Sequence, residues 1–172
     1  MCIRRLALKP ENSNIIHIGV SEYRAAKSPD AMRTTLGSCV GIVLYSKKDK
    51  AGGMLHALLD EPPVGRIAQK GKYARTAIEE LVRELQKIGI DKTNLTARIF
   101  GGASMFEAEK SKFFYNIGEA NVAISRSTLQ KEGIPLIEED VGGNNGRTIT
   151  LFLDDGRVLL RSGTQERYIY KA

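Results

Sequence analysis

Cys39 and His56 are the side chains in this 172-residue chain whose types and spacing invite chemistry. Cys39 lies in Thr34-Thr35-Leu36-Gly37-Ser38-Cys39-Val40-Gly41, where a glycine-containing turn runs into a β-rich stretch. At such a junction a sulfur is held rigidly while still facing a cleft. Gly37 and Gly41 let a substrate come close to the backbone, and turn amides beside Ser38 can hold an oxyanion. A free cysteine is also among the most buried residue types, and most are inert core fillers. His56 shifts that balance. It sits in Gly52-Gly53-Met54-Leu55-His56-Ala57-Leu58-Leu59, an otherwise apolar run that a hairpin can lay beside the cysteine. A thiol with an ordinary pKa of about 8.5 is mostly protonated at neutral pH, so it needs a base. A neighbouring imidazole takes that proton and later hands it to a leaving group. Thr34 and Thr35 are each close enough in sequence to supply a hydroxyl that orients the ring. The pattern is that of a Cys-His hydrolase, and it names no substrate.

The elements that must position these residues can be read from periodicity. Residues 14–20 alternate weakly and predict a first strand, whereas 21–33 are polar, contain Pro29 and read as a loop or short irregular element. Val40 to Tyr45 and Gly52 to Leu59 predict two antiparallel strands joined by the polar turn Ser46-Lys47-Lys48-Asp49-Lys50. Cys39 opens the first and His56 lies inside the second. From Tyr73 to Ile88, apolar residues recur at spacings of three and four, predicting an amphipathic helix that Gly89 ends. Leu95 to Phe100 predicts a strand, and Ile117 to about Gln130 a second helix stopped by Gly133 and Pro135. Ile134 to Glu138, Thr148 to Leu153 and Val158 to Arg161 predict further strands, the last two joined by the hairpin signal Asp155-Gly156. Six or more strands with two helices and hairpins at both ends indicate an α+β fold with an antiparallel or mixed sheet, not a doubly wound one.

Composition excludes several classes. The chain is 42% hydrophobic and 27% charged, ordinary globular usage for one domain spanning residues 1–172. No apolar run is long enough to span a bilayer. Nothing after Met1-Cys2-Ile3-Arg4-Arg5 resembles an export leader, which makes the cytoplasm the expected compartment. Cys2 and Cys39 make no disulfide framework, and with His17 and His56 they lack the pairing of a zinc site, so neither metal nor cofactor is expected. Cys2, near a mobile terminus and without a neighbouring histidine, is expected to be dispensable. The net charge of +6 is scattered along the chain, without the interleaved aromatics that stack bases, so nucleic acid is not the expected partner.

Two glycine segments remain. Ile99-Phe100-Gly101-Gly102-Ala103-Ser104-Met105-Phe106 lacks a Walker lysine and a full Gly-x-Gly-x-x-Gly pattern, so it reads as a tight turn beside a cleft. Asp140-Val141-Gly142-Gly143-Asn144-Asn145-Gly146-Arg147 reads as a cluster of turns with Asp140 bonding backbone amides. Both are candidate walls for a cleft, with Phe106, Gly101 and Gly102 as partner-binding residues and Phe106 as the apolar anchor; a core role for Phe106 stays open. Phe113, Phe114 and Tyr115 are core or a small contact patch.

Taken together and in order, the blocks Leu36-Gly-Ser-Cys-Val-Gly, Gly52-Gly-Met-Leu-His56, Lys72-Tyr73, Ile99-Phe-Gly-Gly-Ala-Ser-Met-Phe106, Ile117-Gly-Glu-Ala-Asn-Val122 and Asp140-Val-Gly-Gly-Asn-Asn-Gly-Arg147 resemble the CheD family of chemoreceptor glutamine deamidases. They span roughly residues 15–161. The resemblance implies a β-sandwich flanked by helices, similar to the toxin-type cysteine deamidase fold. It implies hydrolytic conversion of specific glutamines to glutamates on methyl-accepting chemotaxis receptors, contributing to chemotactic adaptation. A CheC-type phosphatase is a second partner of some members. By the same resemblance Cys39 is the nucleophile, His56 the base and a threonine before the cysteine the third member; Thr34 is the choice and Thr35 remains open. Gly37 and Ser38 fall in the oxyanion and substrate loop. Ala120 departs from the family, which usually has arginine there, and bears on a docking contact rather than on the pair. Two other readings stay open: a binding module for receptors and phosphatase with little catalysis, and an amidohydrolase acting on a small molecule.

Overall fold

The computed structural model describes residues 14–65, 69–104 and 116–169. Two five-stranded sheets stack face to face, and two helices cover the outer face of one of them. The first sheet has the order β1 (Ile15–His17), β3 (Ala31–Leu36), β8 (Arg147–Phe152), β9 (Val158–Ser162), β10 (Gln165–Ile169). The second runs β2 (Tyr23–Lys27), β5 (Ala51–Ala57), β4 (Val40–Ser46), β6 (Thr96–Gly101), β7 (Leu136–Val141). Each sheet is mixed: β1 pairs with β3 and β6 with β7 in parallel, and the remaining pairs are antiparallel. The expected α+β sandwich flanked by helices is the architecture found.

Alternation of side chains along the central strands sorts the core into two layers. On β4, Val43 and Tyr45 point between the sheets, where they meet Met32, Leu36, Met54, Phe100, Ile149 and Leu151. Val40, Ile42 and Leu44 point the other way, toward the helices. Strands β4 and β5 are buried on both faces, and their near-continuous apolar runs are the sequence trace of that burial.

Helix α1 (Ala74–Lys87) buries Ala74, Ala77, Ile78, Leu81, Val82 and Leu85 and ends at Gly89, whose φ of +89° suits a residue without a side chain. Gly53 of β5 admits it closely, since a Cβ there would lie 2.5 Å from Leu81 Cδ1. Helix α2 (Ile117–Glu132) differs in kind. Its buried stripe is Gly118, Asn121, Val122, Ser125, Thr128 and Leu129, half of it polar. The Asn116 side chain caps its start by accepting from the Glu119 N–H at 3.2 Å, and Gly133 ends it at φ +71°.

The structure departs from the sequence expectation in two elements. Residues 21–33, expected as a loop or short irregular element, supply β2 and the first half of β3. Their polar side chains face solvent from an edge strand or from the outer face of the first sheet, which gives them the composition of a loop. Strand β10, not expected at all, is a mostly exposed edge strand held to β9. Strand β4 begins at Val40, as expected, with Cys39 in the bend immediately before it. Among the described residues, no helix is long and apolar enough to cross a membrane.

Candidate functional site

The β4–β5 ladder sets Gly41 opposite His56. Cys39, two residues before Gly41, packs against the inter-sheet cluster that also contains Met54, two residues before His56. Sulfur and imidazole therefore share the face of the second sheet that meets the first. Gly41 keeps the space between them narrow and free of a side chain, for a Cβ there would sit 2.7 Å from Leu36 Cδ1. The thiol is free and partly buried, and it makes no hydrogen bond with the ring in this structure. Cys39 and His56 are placed as diagonal neighbours, which on paired strands lie about 7–8 Å apart.

The ring is anchored from the opposite sheet. Thr34 on β3 and His56 on β5 are 4% and 5% exposed, and Thr34 Oγ1 lies 2.8 Å from His56 Nδ1. The same hydroxyl donates to the Ile18 carbonyl at 2.8 Å. A hydroxyl has one hydrogen, and a carbonyl only accepts. The Thr34 hydrogen is thus committed to Ile18, so its oxygen must accept from an Nδ1–H. This fixes the tautomer with Nε2 unprotonated, the atom a base would use. Of the two threonines left open by the sequence, only Thr34 reaches the ring. Thr35, one residue on, faces the other side of the first sheet and shares a hydrogen bond with Thr148 Oγ1 at 2.9 Å. Period-two alternation makes that choice.

Electrostatics leave the pair neutral at rest. Burial pushes the Cys39 thiol pKa up, and only its own backbone N–H draws it back. Burial pushes His56 down, with the Ile18 carbonyl opposing. Both shifts favour the neutral forms of the two groups.

The turn carrying Gly37, Ser38 and Cys39 is held by its carbonyls. Gly37 O accepts from the Ala103 N–H at 3.0 Å and Cys39 O from the Gly102 N–H at 2.8 Å. Ser38 O accepts from Asn121 Nδ2 at 3.3 Å. Gly101 and Gly102, expected on a partner-binding rim, are buried. A Cβ on Gly101 would lie 2.3 Å from the Cys39 carbonyl oxygen, and one on Gly102 would lie 2.6 Å from Val122 Cγ2. Both take left-handed φ, +99° and +62°. Their surroundings make them braces under the cysteine turn. Phe106, Phe113, Phe114, Tyr115 and Cys2 lie outside the described residues.

The second glycine loop is pinned by Arg147. Its guanidinium bonds Asp140 Oδ1 at 2.6 Å and the carbonyls of Gly142 at 2.8 Å and Asn145 at 3.3 Å. Arg167 bonds the other Asp140 oxygen at 2.6 Å. Burial raises the Asp140 carboxyl pKa, but the bonds from Arg147 and Arg167 outweigh it and hold it below the usual carboxylate range. The expectation that Asp140 bonds backbone amides is corrected: its partners are these two guanidinium groups. The residue that sequence reasoning missed is Asn121. Its signal was an amide at a position where helical period demands an apolar side chain.

Three kinds of likeness to known proteins follow. The family described as CheD chemotactic sensory transduction matches residues 60–162, a stretch that begins after His56. Over 155 residues, 90% of this chain and 99% of the other, the chain is 39% identical to a Methanococcus maripaludis protein named probable chemoreceptor glutamine deamidase CheD. Proteins of the same name from Pyrococcus horikoshii and Caldanaerobacter subterraneus are 42% and 40% identical over 160 residues, each covering 91% of this chain and 97% and 99% of theirs. Among solved structures, a Neisseria meningitidis protein is similar at 10% identity and a TM-score of 0.43, over 71% of this chain and 53% of that one.

Proposed function

The chain belongs to the CheD family, and we propose that it hydrolyses glutamine side chains of methyl-accepting chemotaxis receptors to glutamate through a thioester on Cys39. The observation that carries this reading is the hydrogen bond from His56 Nδ1 to Thr34 across the two sheets, which leaves Nε2 as the free base on the face it shares with Cys39. On entry of a glutamine carboxamide, His56 Nε2 takes the thiol proton and the sulfur attacks the carbonyl carbon. The backbone N–H groups of Ser38 and Cys39, on the turn opened by Gly37, receive the developing oxyanion. The imidazolium gives its proton to the departing nitrogen, ammonia leaves, and a thioester remains. A water activated by the same Nε2 then attacks the thioester, releasing glutamate and restoring the thiol. The neutral resting pair suits this sequence, because the thiolate forms only as the proton is passed.

Receptor cytoplasmic helices are the substrate, and a CheC-type phosphatase is a second protein that competes for the same surface. The experiment is incubation with the cytoplasmic domain of a receptor from the same organism, followed by peptide mass mapping. Converted glutamines gain about one mass unit each as NH2 becomes OH. Cys39→Ser should leave the receptor unconverted while melting near the wild type, and His56→Ala should leave it unconverted with a lower melting temperature from the cavity it opens. Full conversion by Cys39→Ser would overturn the mechanism. Ammonia release from free glutamine with unchanged receptor peptides would assign the site to a small-molecule amide instead.

A further inference from the structure

Asn121 is fully buried, 0% exposed, on the face of α2 that meets the sheets. It reaches the cysteine turn because Gly118, one helical turn earlier, lets α2 approach closely: a Cβ there would lie 2.5 Å from the Gly102 carbonyl oxygen. The two hydrogens of its amide serve two carbonyls, Ser38 O at 3.3 Å and Leu58 O at 3.0 Å. One bond thus lands on the residue before Cys39 and the other two residues past His56, tying together the open end of the β4–β5 hairpin. Ser125 Oγ donates to the Asn121 carbonyl at 2.6 Å, and Asn121 Oδ1 has no partner among the described residues. A buried amide that leaves half its bonding capacity unused is costly.

In a trans peptide the carbonyl and the next N–H point in opposite directions. A donor gripping Ser38 O therefore sets the direction of the Cys39 N–H, away from α2. We propose that Asn121 is a positioning residue for the nucleophile: its amide locks the Ser38–Cys39 peptide plane so that the Cys39 N–H faces the sulfur and the oxyanion formed there. Gly102 and Ala103 clamp the two flanking carbonyls with backbone N–H groups, which no side-chain change removes. Asn121 is the side-chain member of the clamp. The Cys39 N–H is also the group that opposes burial in setting the thiol pKa, so loosening the plane should show in the thiol's titration.

The inference rests on Cys39 being the nucleophile, and its test separates the two ideas. Asn121→Leu keeps the volume and loses both donors; Asn121→Ser, smaller and still able to donate once, replaces it should the first fail to fold. Each is compared with the wild type in kcat and KM for receptor deamidation, in the pH dependence of Cys39 alkylation by iodoacetamide, and in melting temperature. The expected result is a kcat lower by about 10- to 100-fold with KM nearly unchanged. The alkylation profile should move to higher pH, less so in Asn121→Ser than in Asn121→Leu. Folded variants with an unshifted profile overturn the proposal, whatever their kcat. A shifted profile where the wild type converts no receptor glutamine upholds the clamp and overturns the assigned reaction.

Discussion

Thr34→Val removes one oxygen from the centre of the molecule and little else. Valine keeps the branched shape, so the space between β3 and β5 stays filled. Two groups lose their partner: the Ile18 carbonyl and the His56 Nδ1–H, both bonded at 2.8 Å and both away from water. Each unsatisfied buried group costs about 1–3 kcal/mol, so the loss should be roughly 2–6 kcal/mol. For a domain of this size, that corresponds to a fall of roughly 4–24 °C in melting temperature. The ring also loses the bond that selects its tautomer, and deamidation should fall by about 10²–10⁴-fold, as for a mis-set catalytic imidazole. Thr34→Ser restores the hydroxyl and should recover most of both losses, less the packing of one methyl group. The assays are thermal denaturation, receptor deamidation and the imidazole nitrogen NMR shifts, which report the tautomer directly. A Thr34→Val protein with wild-type melting and wild-type nitrogen shifts would refute the reasoning, because the hydrogen bond would then be holding nothing.

Three further expectations share these methods. Gly101→Ala places a Cβ against the Cys39 carbonyl oxygen at a φ of +99°, so it should lose about 1–3 kcal/mol and slow deamidation by displacing the turn; unchanged melting and rate would show that the turn tolerates the shift. Arg147→Ala should cost about 2–3 kcal/mol by freeing a partly buried Asp140 and the Gly142 carbonyl, and Arg147→Lys should recover less than half, since an ammonium cannot make the forked contact; full rescue by lysine would count against the fork. With His56 lowered in the fold, the unfolded chain takes up its proton first as pH falls, so stability should decline below about 6.5. With Cys39 raised, the unfolded thiol ionises first, and stability should decline above about 8.5. Cys39→Ser should flatten the alkaline limb alone, and an unaltered limb would exclude the thiol as its cause.

How much was legible in the sequence follows from what each residue answers to. The β4–β5 hairpin was readable because both strands are buried on both faces, and burial writes itself as apolar runs with a polar turn between them. Helix α1 showed for a similar reason, one buried stripe against a charged face. The segment 21–33 was misread because half its residues look outward from the first sheet and from the edge strand β2, and Met32, Thr34 and Leu36 alternate over too short a span to stand out. The choice between Thr34 and Thr35 could not be made from neighbours in sequence, since it depends on which sheet face β3 presents, and that is decided by its pairing with β8. The role of Asn121 was hidden further still, because its partners Ser38 and Leu58 lie 83 and 63 residues away in sequence.

The cross-sheet hydrogen bond also sets an order of events during synthesis. Cys39 and His56 belong to one local hairpin and can come together as soon as residue 57 has left the ribosome. Thr34 cannot take its place so early, because β3 is held by β8, residues 147–152. At ~5–20 residues per second the interval is on the order of ten seconds. Throughout it the nascent chain carries its thiol and imidazole with no hydroxyl to choose the tautomer. On the proposed mechanism, hydrolytic competence therefore arrives only with the closing of the first sheet, and a newly made chain is kept from attacking carboxamides around it by the order in which its strands find their partners.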